Sequence, residues 1–464
     1  MRKEKKMKTH ISQFFMDIRQ PYLRALLLLA LVPLFPEYIS FVLVLVALFF
    51  GIKDVRSDKR TIKLGTTGKL LLAFCAYQTF TCVFSTHPLQ SLSTSLMWWF
   101  FLLAYLLLVN LLTTRDRMDT FLLYITSVAA LVGLIACIQY RINYFSDTYA
   151  GNPWRWLDEL VYPYIPFDIV ELNYFDRACS TFDNPNILAK YLVMVAPFVA
   201  CFNFIERRDN LRIYSRICLF LTLAGVIFSF SRGGYLAIIA LAIALIIINF
   251  RKKFAAISLY VVSALLFLPS EVVNRLFTIK DGVGISSNIV GGGSTTHQVT
   301  LPPLSASQAI ANNAVSERWQ IWGQALSKFF EQPFFGYGTG TQPSYEIFHE
   351  IGIKAAHAHN IVLQLLLEGG IIALLIMATI GFQTVKRGMS LLFSHQKEAF
   401  WIGFGILGFA ACFLIHGMVD YPFSTPKLVF TFFTMMALSE QGFCLYRNPD
   451  KRKAKIKRKE IVSA

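Results

Sequence analysis

The residues of this chain best suited to chemistry are concentrated in a few short runs. One is His357-Ala-His359-Asn360, followed at four-residue intervals by Gln364 and Glu368. At ~100° per residue, Asn360, Gln364 and Glu368 spread over about 80° of one helix face. A polar face on an otherwise apolar span belongs against a protein interior or a wet cavity. His359 opens that helix and, as a neutral imidazole, would accept a proton or a hydrogen bond. His357 lies two residues away on a different face and is the alternative choice.

Two arginines sit where an anion could be held. Arg232 lies in Phe228-Ser-Phe-Ser-Arg-Gly-Gly-Tyr235, between apolar runs, with glycines that permit close backbone approach. Arg177 lies in Asp176-Arg-Ala-Cys-Ser-Thr-Phe-Asp-Asn-Pro-Asn186, just before a helix start marked by Asn184 and Pro185. A helix N-terminus beside an arginine favours an anion. The plainer reading of each arginine is an ion pair with a carboxylate such as Asp176 or Asp183, or headgroup contact. The plainer reading of the histidine is a cap or an interfacial anchor. A zinc site from His349, His357 and His359 lacks the cysteines or ordered acidic spacing of known sites, so neither metal nor cofactor is expected.

These residues hang on a strongly apolar framework. The 464 residues are 55% apolar, 15% aromatic and only 16% charged, which places the chain among membrane proteins. A hydrocarbon core of ~30 Å takes roughly 20 apolar residues per helix. Helices are the natural form of such runs, because each satisfies its own backbone. The expected fold class is therefore all-α and polytopic, with about a dozen membrane helices. They are placed near 20–35, 38–52, 68–84, 92–112, 118–140, 184–204, 211–229, 233–250, 254–269, 359–385, 398–418 and 427–446. Pro33 and Pro36 divide the first pair. Treated as a hairpin, it puts the basic N-terminus and the Lys53–Lys63 segment on one side, as the positive-inside rule requires. Both termini are then cytoplasmic, and the net charge of +16 reports topology rather than nucleic-acid binding. The basic tail Lys451–Lys459 suits anionic lipid.

The eight cysteines imply no disulfide, since all but Cys179 fall in helices or at inner ends. The N-terminus, basic and then apolar, lacks a small-residue cleavage site and reads as retained. Five units follow: membrane helices in 1–140, central helices with a first outer loop in 141–269, an extracytoplasmic loop over 270–358, C-terminal helices in 359–446, and the basic tail 447–464. Residues 281–313 are low-complexity and read as mobile. Beyond them, Ser316 to Phe330 reads as an amphipathic helix on the membrane or the bundle, with Trp319, Trp322, Leu326 and Phe329 at helical spacing and Arg318 and Lys328 on other faces. Pro333-Phe-Phe-Gly-Tyr-Gly-Thr-Gly340 is a glycine-rich turn. A lone turn of this kind is weak evidence for a phosphate cradle, and a structural role is favoured.

Between about Arg177 and Lys386 the chain resembles the bacterial O-antigen ligase and O-antigen polymerase superfamily. The resemblance rests on Arg177 with Phe182-Asp-Asn-Pro-Asn-Ile-Leu-Ala189, on Ser231-Arg-Gly-Gly234, on Arg318-Trp-Gln-Ile-Trp322, and on the Pro333 to Gly338 turn. Its most specific part is the ligase signature of His, then Asn, Ser or Gln, nine residues, and Gly, which His359, Asn360 and Gly370 fit and His357 does not. Ala373 departs from the Gly, Thr or Tyr usual at that place, which leaves ligase, polymerase and protein-glycosylating members open.

The resemblance implies a GT-C-like enzyme of the bacterial cell membrane. Such an enzyme moves a glycan from a polyprenyl-diphosphate carrier to a hydroxyl of a glycan, glycolipid or protein, without a metal. In that reading His359 handles the acceptor proton and Arg177 and Arg232 meet the diphosphate, while Arg318 and Glu368 help position substrate or loop. The alternatives are a polymerase of the same superfamily, a lipid-linked sugar flippase, and an inactive scaffold. A flippase would show broken helices and a midplane site, often in paired halves.

Overall fold

A computed structural model describes residues 20–57, 61–146, 153–154, 177–206, 208–247 and 306–447. The expected helix at 254–269, the basic tail, the N-terminal basic run and most of the low-complexity segment lie outside them. Among the described residues all regular structure is helical. We number the helices α1 (Pro21–Leu31), α2 (Glu37–Ser57), α3 (Gly65–Thr81), α4 (Pro88–Leu111), α5 (Arg115–Ser146), α6 (Pro185–Ile205), α7 (Asp209–Phe228), α8 (Arg232–Ile247), α9 (Ala306–Glu331), α10 (Thr341–His349), α11 (Ile361–Leu392), α12 (Lys397–Gly417) and α13 (Pro426–Tyr446). Each expected apolar segment within the described residues coincides with a helix. Eight of these helices are long and apolar enough to cross a membrane.

The packing separates centre from rim. The apolar windows of α6 and α13 are 83% buried, against 28% for α7 and 33% for α2, so the first two form the axis and the others face outward. Helices α5 and α7 cross through glycines. A Cβ on Gly133 would lie 2.1 Å from the Leu221 carbonyl oxygen, and one on Gly225 would lie 2.8 Å from Gly133 Cα. Such small contacts let backbones approach where apolar burial gives no preference for helix over lipid.

Helix α3 starts without a side-chain cap of its own. Glu440 of α13 takes that role, accepting from the backbone amides of Thr66 (3.2 Å) and Thr67 (3.0 Å). Arg387 of α11 pairs with Glu440 at 2.8 Å and donates to the Thr67 hydroxyl. At the other end of α3, Tyr77 donates its hydroxyl to the carbonyls of Phe334 (2.6 Å) and Gly369 (2.9 Å).

Those two carbonyls belong to the main irregularity of the bundle. Helix α11 is broken at Gly369 (φ −139°, ψ 16°) and Gly370 (φ 63°, ψ −164°). It runs 32 residues, ~48 Å at 1.5 Å per residue, well beyond the ~30 Å that a membrane needs. The break frees backbone groups, and the glycine-rich turn takes them up. Tyr337 N–H donates to Leu367 O (2.8 Å), Gly338 N–H to Glu368 O (3.0 Å), and Ile371 N–H to Pro333 O (2.8 Å). The turn is thus structural, with two of its amides engaged by α11. This also gives the signature glycine a physical reason. A Cβ at Gly370 would lie 2.3 Å from Phe334 O, in a backbone region nearly closed to other residues. We expect Gly370→Ala to lower stability by at least ~1–3 kcal/mol from backbone strain alone. A lowered midpoint of thermal unfolding in detergent, with earlier proteolysis around residues 333–340, checks this.

The loop before α11 is more ordered than its composition suggested. Helix α9 begins ten residues upstream of Ser316, so residues 306–313 of the low-complexity stretch are helical. The face it buries also differs from expectation. Ile321 and Ala325 are buried with Trp322 against Tyr337, Ile347, Phe348, Ala358 and Leu367, forming a small second core. Trp319 and Leu326 are 66% and 43% exposed. The large side chains mislead because small Ala325 permits the close packing.

Candidate active site

The site is built from helix ends. Asn184 caps α6, its side chain accepting from Asn186 N–H (2.8 Å) with Pro185 at the first helical position. Asn360 caps α11, accepting from Val362 N–H (2.9 Å) and Leu363 N–H (3.2 Å) while donating to Met418 O (3.2 Å). His359 therefore precedes the helix rather than opening it, at φ 50°. The non-glycine residues with positive φ among those described are Ser180, Phe230 and His359. Left-handed backbone outside glycine marks places where the surroundings impose a conformation.

What the imposed conformation achieves is a pairing that no motif announced. His359 Nδ1 lies 2.9 Å from Asp420 Oδ1, in the turn between α12 and α13. With Nδ1–H donating to the carboxylate, Nε2 is left as the basic nitrogen. Asp420 is itself held from both sides. Its Oδ1 also accepts from Tyr421 N–H (3.0 Å), and its Oδ2 pairs with Lys190 Nζ at 2.8 Å. Lys190, on α6, is nearly fully buried and donates further to Tyr421 O (2.8 Å) and Ser424 Oγ (3.1 Å). Burial alone would raise the Asp420 carboxyl, but Lys190 and His359 hold it well below the usual carboxylate range.

His357 is the other neighbour of this carboxylate, its ring centroid 4.3 Å from that of His359. Burial pushes His357 down from an ordinary 6.5 to about 3, against the pull of Asp420 and with help from His359, Lys190 and Arg318. It is thus a neutral ring at working pH, and its Nδ1 is buried without a hydrogen bond.

The expected residues lie in different surroundings. Arg177 donates from Nε to Ser229 O (2.9 Å) and from Nη2 to Asn186 Oδ1 (2.7 Å), so part of its guanidinium ties the α7–α8 turn to α6. The following residues are equally tied. Gln139 of α5 exchanges hydrogen bonds with the Ser180 backbone at 2.6 and 3.0 Å. Arg232 stands between Ser231, whose Oγ is 3.4 Å from His416 Nε2, and Gly233, where a Cβ would strike Val419. Its turn therefore rests on the end of α12, next to Asp420. Arg318 on α9 lies a turn before Trp322, whose Nε1 donates to Ala358 O (2.9 Å), and its charge acts on His357.

Glu368, expected to help position substrate or the loop, is tied to the loop side of the site. It is buried, accepting from Gln364 (2.8 Å) and from the Tyr421 hydroxyl (3.1 and 3.3 Å). Gln364 in turn accepts from Ala358 N–H (2.7 Å) and donates to Ser344 Oγ (2.8 Å). The polar face of α11 thus points inward as expected, and it fastens the His357–His359 segment and Tyr421. His349, the third histidine weighed for a zinc site and set aside, stacks on Tyr345. Among the described residues, the group that could hold a metal is His357, His359 and Asp420.

Sequence reading missed Lys190 and Asp420. A lysine within an apolar helix was the available signal, since intramembrane charges demand partners. The eight cysteines are unpaired, as expected.

Residues 217–378, which include Arg232, Arg318, His359 and Glu368, match the family described as O-antigen ligase. The chain is also similar, at 22% identity over 268 residues, to a ComP-specific O-oligosaccharyltransferase of Acinetobacter baylyi (strain ATCC 33305 / BD413 / ADP1). That similarity covers 56% of this chain and 43% of the relative, so the match spans less than half of the relative's length. On the matched segment and its apolar helices, the chain is similar to the O-antigen ligase family.

Proposed function

We propose that this protein moves a glycan from a polyprenyl-diphosphate carrier to an acceptor hydroxyl at the outer face of the bacterial cell membrane, without a metal. The observation that carries the reading is the His359 ring held through Nδ1 by a buried carboxylate, with Nε2 left to receive a proton. An acceptor hydroxyl at Nε2 gives up its proton there as its oxygen attacks the anomeric carbon. The bond from that carbon to the diphosphate oxygen breaks with inversion, and its electron pair leaves on the diphosphate. Arg232 supplies charge for the leaving group, with Arg177 behind it as both charge and brace. Arg318 and Glu368 help position substrate or the loop. In this reading the chain has about twelve spans, with both termini cytoplasmic and α9 and α10 outside.

The broken helix does not favour a flippase. The break comes eight residues into α11, far from its middle, and its backbone groups are met by the glycine-rich turn. Among acceptors, the similarity to an O-oligosaccharyltransferase favours a protein hydroxyl as the second reading, beside glycan and glycolipid.

The test is reconstitution in lipid nanodiscs with a polyprenyl-diphosphate glycan and a panel of glycan, glycolipid and protein acceptors. Release of free polyprenyl diphosphate, followed by mass spectrometry, is expected with one acceptor class. In proteoliposomes, movement of intact donor across the bilayer without release would overturn the transferase in favour of a flippase.

A further inference from the structure

The three groups around Asp420 offer more than a positioned histidine. His357, His359 and Asp420 each present one ligand atom, and these atoms all lie within 4.8 Å of one another. Asp420 Oδ1 is 2.9 Å from His359 Nδ1 and 4.0 Å from His357 Nδ1. Metal–ligand bonds of about 2.0–2.2 Å in a tetrahedral shell put ligand atoms roughly 3.3–3.6 Å apart, between those two separations. His357 Nδ1 is buried with no hydrogen-bond partner and faces a carboxylate oxygen. In either tautomer this Nδ1 is left unsatisfied beside the carboxylate, and a cation between the two would serve both.

We propose that His357, His359 and Asp420 form an inhibitory binding site for a divalent transition ion of the zinc class. Two imidazoles and a carboxylate are the donors that such ions prefer. The ion takes Asp420 through Oδ1, since Oδ2 is held by Lys190. Its charge is opposed by Lys190 and Arg318, which suits reversible occupation rather than a resident cofactor.

The inhibitory consequence follows from where the ion binds, and this step alone rests on the transferase reading. An ion on His359 Nδ1 displaces the proton carried there in the free enzyme. The neutral imidazole then carries that proton on Nε2, the nitrogen that must be empty to receive one from the acceptor. No proton is gained or lost overall, and the acceptor's place is not occupied. The base is switched off by a change of tautomer.

Two measurements on chelator-stripped protein in nanodiscs read the site without turnover. Co²⁺ titration is followed by visible absorption, and Zn²⁺ binding by the ¹⁵N shifts of labelled histidines. One equivalent per chain, tetrahedral-type Co²⁺ bands, and a His359 ring metallated at Nδ1 with a proton on Nε2 are the expected results. His357→Gln, and His357→Ala as a second variant, should weaken binding by at least the ~10–100-fold that loss of even an outer-shell partner brings. Zn²⁺ should suppress polyprenyl-diphosphate release by wild type, while the rate of His357→Gln, whatever its zinc-free value, should not change when Zn²⁺ is added. Binding that survives loss of His357 overturns the site. A Zn²⁺-loaded protein whose His359 keeps its proton on Nδ1 overturns the switch. If wild type releases nothing with any acceptor, the transferase reading fails, while the absorption and ¹⁵N arms still decide the site and the tautomer.

Discussion

His359→Ala is expected to lower glycan transfer by about 10²–10⁴-fold, the usual contribution of a positioned general base, while the protein accumulates and stays folded. The side chain is 31% exposed and its one described hydrogen bond is to Asp420, so its removal leaves the bundle's core contacts in place. Release of polyprenyl diphosphate by wild type and variant, with thermal unfolding as the folding control, makes the comparison. His359→Gln belongs in the same experiment, because it retains a hydrogen-bonding side chain while losing the basic nitrogen. Turnover of either variant at the wild-type rate would remove His359 from the mechanism.

The second large effect concerns stability. Lys190 and Asp420 are 2% and 9% exposed, and a buried pair broken on one side leaves an uncompensated charge. Lys190→Met is expected to destabilise the protein by ~3–5 kcal/mol. The loss lies toward the lower end because His359 and Tyr421 N–H still serve the carboxylate. Asp420→Asn, which strands the ammonium, should fall in the same range. The double variant Lys190→Met/Asp420→Asn removes both charges and should be more stable than the sum of the single losses predicts, by well over 1 kcal/mol of coupling. It should not regain transfer, since the carboxylate that orients His359 is gone. Additive losses in a thermal-unfolding cycle would mean that the two residues act independently.

The fold was largely legible because membrane helices write themselves as long apolar runs. The starts of α6 and α11 were legible too, through Asn184-Pro185 and the polar Asn360-Gln364-Glu368 spacing. What escaped was set by partners distant in sequence. Nothing near His359 points to Asp420, and nothing in the α11 sequence says that the glycine-rich turn would supply amides to its carbonyls. The same holds for Glu368. Its place on a polar face was readable, but that Glu368 meets Tyr421 and that Gln364 meets Ser344 depends on how α10 and the α12–α13 turn pack. On α9, aromatic spacing drew attention to Trp319 and Leu326, whereas the packed contact forms around Ala325.

The Lys190 pairing also constrains how the protein is made. Lys190 lies about one and a half turns into α6, and the carbonyl it binds on Tyr421 comes 231 positions later. At roughly 5–20 residues per second of synthesis, α6 waits about 10–45 s before those partners leave the ribosome. During that interval the ammonium has only the aqueous boundary to reach toward, which a long flexible side chain near a helix end can do. The seat of this central helix is therefore complete only once the α12–α13 turn has been made. Birth order and burial run in opposite directions here, and the last membrane helices complete the seat of one of the earlier ones.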